Sequence, residues 1–497
     1  MTVEQARAFL DPAIYCPTPP EALPDLEQAV ARLNRAIERR ESICVWGDFD
    51  VDGQTATALL VSSLQSLGAK VRYYIPNRLT ESHGMKLPAL RRILAEEVNL
   101  ILTCDTGIAE HEAIAAAQSA GVEVIVTDHH DLAETLPPAL AVVNPKRLPP
   151  DHPLRELPGV GVAYKLAEGL YRSRQRAAES ESLLDLVALG IVADVAQQVG
   201  DTRYLLQKGL LALRQTNRLG LQTLIESARL TPERLTEEHI GFWLAPRLNA
   251  LGRLGDANLA VELLTTTDLT RARIITLQLE ALNDRRKMLT DRVVVQALSQ
   301  LEDTPSLADY NAIVLAAADW HPGVLGLAAS RLIDQFGKPA LLLTVRPDEP
   351  LARGSARSVP GCDIHQALKS QAHLLHSFGG HPQAAGLALA AENIPVFRRG
   401  LSAALADCRT ASTDAVALDA LVEWSQVSPE LLDSINRLAP FGAGNPRVRL
   451  GCTGLTVVEE KTFGKTGAHK RMTVQDAAGL SRENYLVGRR DPTLTTG

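Results

Sequence analysis

The chain has 497 residues, 45% of them apolar and 22% charged, with a formal net charge of −7. That is an ordinary globular composition with material for roughly two to four domains of ~100–200 residues, and it excludes wholesale disorder. No apolar run approaches the ~20 residues of a membrane span and no charged-then-apolar leader opens the chain, so neither a membrane protein nor a signal peptide is expected.

Residues 1–40 read as a helical lead-in, with Leu26, Val30, Leu33 and Ile37 forming a stripe at helical spacing. Ile43-Cys-Val-Trp46 reads as the end of a buried strand. Asp48-Phe-Asp50-Val-Asp52-Gly53 follows, and then a helix carrying Leu59, Leu60, Leu64 and Leu67. Three carboxylates at alternate positions repel one another unless a cation neutralises them, and oxygen-rich clusters suit Mg2+ or Mn2+. A calcium loop of the EF-hand type needs Glu at its twelfth position. Counted from Asp48 that position is Leu59, so the reading is excluded.

Next come a strand at Lys70–Ile75, a polar loop at Pro76–His83, a helix at Leu87–Glu97 and a strand at Val98–Thr103. A helix at Glu110–Ala120, a strand at Val122–Thr127 and a short strand at Ala141–Asn144 complete the block. Strands alternating with helices predict a mainly parallel sheet covered on both faces. Two of these strands run into Cys104-Asp105-Thr106-Gly107 and Asp128-His129-His130-Asp131. Each alone reads as a helix cap or turn. The carboxyl ends of parallel strands share one edge, so together with Asp48–Asp52 they favour a metal site.

Residues 151–230 read as mostly helical. Gly159 and Gly161 begin one helix and are taken as close-packing points more than as phosphate contacts. Asp194 follows a near-continuous apolar helix, where an unpaired carboxylate is costly; it either pairs with a cation or marks the helix end. Arg247, Asn249 and Arg253 suit an anion, or a structural network between helices. Residues 268–302 contain neither Pro nor Gly and predict one long spacer helix. Strand-helix alternation resumes at 311, with His321, Arg331, Ser355 and Arg357 in its loops and elements. Gly379-Gly380-His381 can approach a phosphate or simply form a Gly-Gly turn. From about 415 short strands follow, and the basic run Lys461–Arg471 suits either a single-strand groove or a solvated hairpin. Six scattered cysteines without a C-x-x-C pair fit a reducing cytoplasm. The net charge argues only weakly against nucleic acid as a partner.

The ordered motifs Asp48-Phe-Asp50-Val-Asp52-Gly53, Cys104-Asp105-Thr106-Gly107, Asp128-His129-His130 and Val192-Ala-Asp194 resemble those of the DHH phosphoesterase family. Arg247–Arg253, Trp320–Gly326, Gly354–Ser358 and Gly379–His381 are similar to motifs of its bacterial single-strand-specific exonuclease branch, and Pro440–Pro446 to the entry of that branch's OB domain. The resemblance implies an α/β protein of two α/β domains joined by a long helix, plus an OB-like barrel. The expected boundaries are a lead-in over 1–40, a phosphoesterase domain over 41–267, the connecting helix over 268–302, a DHH-associated domain over 303–412 and the OB-like domain over 413–497. It implies a 5′→3′ exonuclease that degrades single-stranded DNA to mononucleotides in recombination and repair.

By the same resemblance, Asp50, Asp52, Asp105, His129 and Asp194 hold two Mn2+ or Mg2+ ions. His130 works at the scissile phosphate with Asp128, and Asp48 orients a ligand. Arg247, Asn249, Arg253, His321, Arg331, Ser355, Arg357, Gly379, Gly380 and His381 grip phosphates. A cytoplasmic monomer is implied, served by a single-strand binding protein or a RecQ-type helicase. Two departures stand out. Trp46 occupies a position where the family often has a metal-binding His. The tail Ser481–Gly497 lacks clear apolar alternation, so the barrel is expected to be incomplete. A small-substrate phosphodiesterase and a non-catalytic DNA-binding homologue are the competing readings. The spacer helix and later motifs weigh against the first, the intact acidic and histidine set against the second.

Overall fold

Two lead-in helices, α1 (Val3–Leu10) and α2 (Leu26–Glu38), precede the first sheet, and α2 buries Leu26, Ala29, Leu33 and Ile37 along the stripe read in the sequence. These elements belong to a computed structural model describing residues 2–408, 417–463 and 469–486. The chain divides into one unit of Met1–Ser412 with Gly442–Gly444 and another of Thr413–Phe441 with Asn445–Gly497.

Five strands, β1 (Ser42–Trp46), β2 (Lys70–Tyr74), β3 (Leu100–Cys104), β4 (Glu123–Thr127) and β5 (Ala141–Val143), alternate with α3 (Val51–Ser66), α4 (Leu87–Leu94) and α5 (His111–Ser119). The strands pair in the order β2-β1-β3-β4-β5, every pairing parallel. Successive side chains enter opposite cores, as the strand period of two requires. Ile43, Val45, Leu100 and Leu102 join α3 on one face. Cys44, Trp46, Ile101 and Val124 join residues of α4 and α5 on the other. Burial on both faces is why these strands read as unbroken apolar runs. Strand order reverses between β1 and β3, and the crevice past the carboxyl ends there is where ligands bind in open α/β sheets.

Helices α6 (Gly159–Ser173), α7 (Leu184–Ala193), α8 (Gly200–Arg214) and α9 (Leu219–Ser227) extend the first core. The short α10 (Glu237–His239) passes through a π-helical turn at Ile240–Leu244 into α11 (Ala245–Leu254), followed by α12 (Asn258–Thr265). The expected long helix is α13 (Leu269–Asp303), 35 residues, with the Asp268 carboxylate capping its start by accepting the Thr270 and Arg271 N–H groups. It is more than a spacer. Ala272, Ile275 and Leu279 belong to the first core, while Val293, Ala297 and Leu301 belong to a core of the second domain.

That second domain has β6 (Ile313–Ala317), β7 (Ala340–Thr344), β8 (Leu351–Arg357), β9 (Leu375–His381) and β10 (Ala384–Ala390), in the order β6-β7-β8-β10-β9. Only the β6–β7 pairing is parallel. Helix α14 (Leu325–Phe336) covers one face, and α15 (Ile364–Ser370) with α16 (Ile394–Ala404) the other. Gly379 and Gly380 lie within the edge strand β9, paired with Gly386 and Ala385, and not in a turn. A Cβ on Gly380 would lie 2.3 Å from Ala384 O, so the glycine is there to let the hairpin close. Cys362 and Cys408 are neighbours, with Cα atoms 5.4 Å apart, a proximity that no sequence spacing announced.

In the other unit, α17 (Pro429–Asn436) accompanies a parallel pair of β11 (Ala420–Leu421) with β12 (Leu450–Gly451). An antiparallel meander of β13 (Thr456–Phe463), β14 (His469–Gln475) and β15 (Ser481–Leu486) follows. Among the described residues these strands form a three-stranded and a two-stranded sheet, the incomplete barrel expected, with β15 pairing along β14 although its segment lacks apolar alternation. Residues 487–497 and Lys465 lie outside the described residues. The basic hairpin spends Lys461, Lys470 and Arg471 on ion pairs with Glu459, Glu460 and Glu483. Among the described residues no helix is long and apolar enough to cross a membrane.

Candidate metal centre

The turn after β1 closes back on itself because Gly53 has no side chain. A Cβ there would lie 2.6 Å from Asp48 O. The Asp50 carboxylate caps α3 by accepting the Gly53 N–H at 3.1 Å. Asp52 is 2% exposed and accepts N–H groups from Gly159 (2.6 Å) and Val160 (2.8 Å), the first residues of α6. The anion held by that helix N-terminus is therefore a carboxylate of the chain itself. The close-packing reading of Gly159 also holds, since its Cβ would lie 2.6 Å from the Asp105 Cβ.

Asp105, just beyond β3, sits at φ +58°, a left-handed conformation that Asp tolerates better than most residues. Its Oδ1 is buried without a hydrogen bond, 3.1 Å from His129 Nε2, which lies 3.8 Å from Asp52 Oδ2. Asp194 caps the C-terminus of α7. The helix-end alternative read for it is thus realised, and the cap also brings a carboxylate oxygen near Asp52 and His129. Three groups have ligand atoms within 4.8 Å of one another: Asp48, Asp50 and Asp105; Asp52, His129 and Asp194; and Asp105, His129 and His130. Asp105 and His129 each belong to two groups, which is the layout of a paired-ion site.

The electrostatics fit a cation. Burial, then the neighbouring Asp50, pushes Asp48 up to about 7. Burial, then Asp194, does the same for Asp52. Asp194 also rises to about 7, and Asp105 rises well above the carboxylate range, chiefly through burial and Asp52. Burial holds the His129 imidazole neutral, the form that ligates. Carboxylates with an imidazole, one buried oxygen lacking a partner, make a donor set that Mn2+ or Mg2+ satisfies. Trp46 adds nothing to that set. Its indole is buried edge-on to Tyr74 (4.8 Å) in the core beneath α4 and α5.

Asp128 is a positioning residue. Its Oδ1 accepts the His129 N–H (2.8 Å), the His130 N–H (3.2 Å) and His130 Nδ1 (2.7 Å), while its Oδ2 accepts the Ile108 N–H. The half-exposed His130 ring is thereby oriented, and against its own burial Asp128 raises it to about 9.

A second feature flanks Asp48 and Asp50. Arg78, Arg253 and Arg357 lie close enough to repel one another. Burial first, then Arg78 and Arg357, lowers Arg253 to about 9. Arg357, on β8, is lowered by burial and Arg78. Three glycines make the approach possible. A Cβ on Gly326 would lie 2.6 Å from Arg357 Nη2, on Gly323 2.4 Å from Arg253 O, and on Gly252 2.1 Å from Phe49 O. Gly252→Ala is therefore expected to displace the acidic turn and cost about 1–3 kcal/mol. A lowered denaturant midpoint together with weakened Mn2+ binding would check this, and an unchanged pair of values would refute it.

The comparisons with known proteins agree with this geometry. The DHH family N-terminal domain matches residues 42–191, the DHHA1 domain residues 309–407 and the RecJ OB domain residues 418–484. "Single-stranded-DNA-specific exonuclease RecJ" of Bacillus subtilis (strain 168) is 36% identical over 96% of this chain, which spans 60% of that relative. The protein of the same name from Haemophilus influenzae is 33% identical, over 93% of this chain and 83% of its own length. The chain belongs to the RecJ family. The crystal structure of RecJ in complex with Mn2+ from Thermus thermophilus superposes with a TM-score of 0.82 at 32% identity, covering 95% of this chain and 67% of that one.

Set within the RecJ family architecture, the residues expected to grip phosphate divide into two sets. Arg253, Ser355 and Arg357 converge, Ser355 Oγ accepting from Arg357 Nη1 at 3.1 Å. His321 caps the turn before α14 and lines a cleft of about 710 Å3 with Arg78, Arg346 and Arg353. His381, at the end of β9, lines a different cleft with His129, His130 and Asp194. Asn249 is half-buried on α11. Arg247 is instead committed to Glu280 of α13 (2.6 Å) and the Trp243 carbonyl (2.8 Å), the structural-network alternative. Arg331 pairs with Asp291 across the α13–α14 contact. Sequence reasoning passed over Arg78. Its signal was a lone arginine in the loop after β2, at the same sheet edge as the acids.

Proposed function

We propose that this chain is a metal-dependent 5′→3′ exonuclease that hydrolyses single-stranded DNA to mononucleotides; its RecJ relatives are named single-stranded-DNA-specific exonucleases. What carries the reading is the juxtaposition of a paired-ion donor set, Asp48–Asp50–Asp105 and Asp52–His129–Asp194, with a cluster of mutually repelling arginines beside Asp48 and Asp50. Mn2+ or Mg2+ held by these residues supplies Lewis-acid stabilisation of phosphoryl charge and activation of water.

The chain's own groups do the rest. Arg78, Arg253 and Arg357 hold the terminal 5′-phosphate, which relieves their mutual repulsion and sets the polarity. His130, kept protonated by Asp128, presents Nε2 to the scissile phosphodiester and gives its proton to the departing O3′ as the P–O3′ bond breaks. Asp128 fixes the ring. The same reading carries a cytoplasmic monomer in recombination and repair, with a single-strand binding protein or a RecQ-type helicase delivering strands.

The test uses one oligonucleotide labelled at either end. With Mn2+, the 5′ label is expected to appear at once in mononucleotide and the 3′ label only late, and chelator should stop both. Early release from the 3′ label would reverse the polarity and remove the role given to the arginines. Dinucleotides cleaved while long strands survive would overturn the substrate.

A further inference from the structure

The cleft on the Asp194 side holds a cation that the mechanism above does not use. His129, His130, Lys146, Glu156, Asp194 and His381 line a cavity of about 370 Å3. Lys146 lies just past β5, at the same sheet edge as the acidic turn. Its backbone is fixed from two directions. The fully buried Asn144 accepts the Lys146 N–H through Oδ1 (2.8 Å) and donates through Nδ2 to His130 O (3.0 Å), and Arg155 donates to Lys146 O (2.8 Å). One buried amide thus sets the position of Lys146 relative to His130.

The ammonium itself is held loosely. Among the described residues its acidic partner is Glu156, with Nζ–Oε2 3.4 Å, against ~2.7–2.9 Å for a well-formed charged pair. Both side chains are partly exposed, so the pair contributes little to stability and its members are free to exchange partners. Arg78 and Arg253 act on the Asp48–Asp50 side of the centre, whereas Lys146 acts on Asp194. A strand whose end is held by the arginines and whose next phosphodiester lies at the ions must continue along a different flank.

We propose that Lys146 is a strand-binding residue: its ammonium leaves Glu156 and pairs with a backbone phosphodiester on the 3′ side of the scissile bond, with Glu156 competing for it in the free protein. The assignment rests on the single-strand reading above. A structural ion pair and a competed phosphate ligand make opposite forecasts. Loss of either partner harms a structural pair, whereas a competed ligand is weakened by losing Lys146 and strengthened by losing Glu156.

Steady-state digestion of a 5′-phosphorylated oligonucleotide in Mn2+, with strand binding against salt in chelator, tests this on the full chain. Lys146→Met is expected to raise KM about tenfold, the scale of one hydrogen bond to a charged group, with a much smaller change in kcat. It should also flatten the slope of log affinity against log salt by about 0.7, one single-strand phosphate contact. Lys146→Arg should restore both. Glu156→Gln should lower KM, and should do nothing in the Lys146→Met background. Wild-type KM and slope in Lys146→Met, or both single variants weakened alike, would overturn the assignment alone. A wild-type chain that degrades no single strand would overturn the functional reading and the assignment with it.

Discussion

Asp105→Asn is expected to lower turnover on single strands by at least about a thousandfold, some 4 kcal/mol of barrier at ~1.4 kcal/mol per tenfold. The substitution keeps the size of the side chain. It also keeps a residue that tolerates the left-handed backbone at φ +58°, which alanine would add strain to. What it removes is charge at the one carboxylate shared by two of the three ligand groups. Strand affinity in chelator should stay within about threefold of wild type, because the phosphate contacts lie elsewhere. The metal-free fold should be no less stable, since the lost charge was crowded by Asp52 and raised by burial. Stabilisation of the fold by Mn2+, read as a rise in Tm, should shrink. Full activity in this variant would remove Asp105 from the centre, and lost strand binding with activity retained would sink the whole assignment.

Arg253→Gln should abolish the preference for a 5′-phosphorylated end. A drop of about a hundredfold in kcat/KM on the phosphorylated strand is expected, with little change on a 5′-hydroxyl strand, from loss of one charged phosphate contact. The fold should not suffer in proportion. Arg253 is held down to about 9 by burial and the like charges of Arg78 and Arg357, so its charge opposes folding until an anion arrives. Inorganic phosphate is accordingly expected to raise the wild-type Tm and to leave that of Arg253→Gln nearly unmoved. An equal loss on both strand types would show that Arg253 serves the fold or the general backbone instead.

The parts of this molecule that were legible in the sequence share a cause. Strands buried on both faces leave unbroken apolar runs, and a parallel sheet gathers their carboxyl ends, so Asp48–Asp52, Asp105 and Asp128–His130 could be placed together before any coordinates. Asp194 was legible because a carboxylate ending an apolar helix demands a reason. The arginines were harder, because an arginine carries the same signal whether it meets a phosphate or a glutamate. Arg247 found Glu280 and Arg331 found Asp291, while Arg253 and Arg357 kept company with cations. Arg78 was missed because its neighbours come from remote parts of the chain. Gly379 and Gly380 were ambiguous because a glycine pair signals tight backbone approach without saying whether a ligand or a neighbouring strand is what approaches.

The long helix has a mechanical consequence. Its first third is built into one hydrophobic core and its last third into another, so it works as the beam of a fixed-gauge caliper. Widening the gap between the jaws would bend the beam or pull apolar side chains into water, and neither is cheap. The spacing of the two cores along the helix is therefore expected to stay nearly constant, so that on the proposed activity the thickness of the admitted nucleic acid would be set without a moving gate.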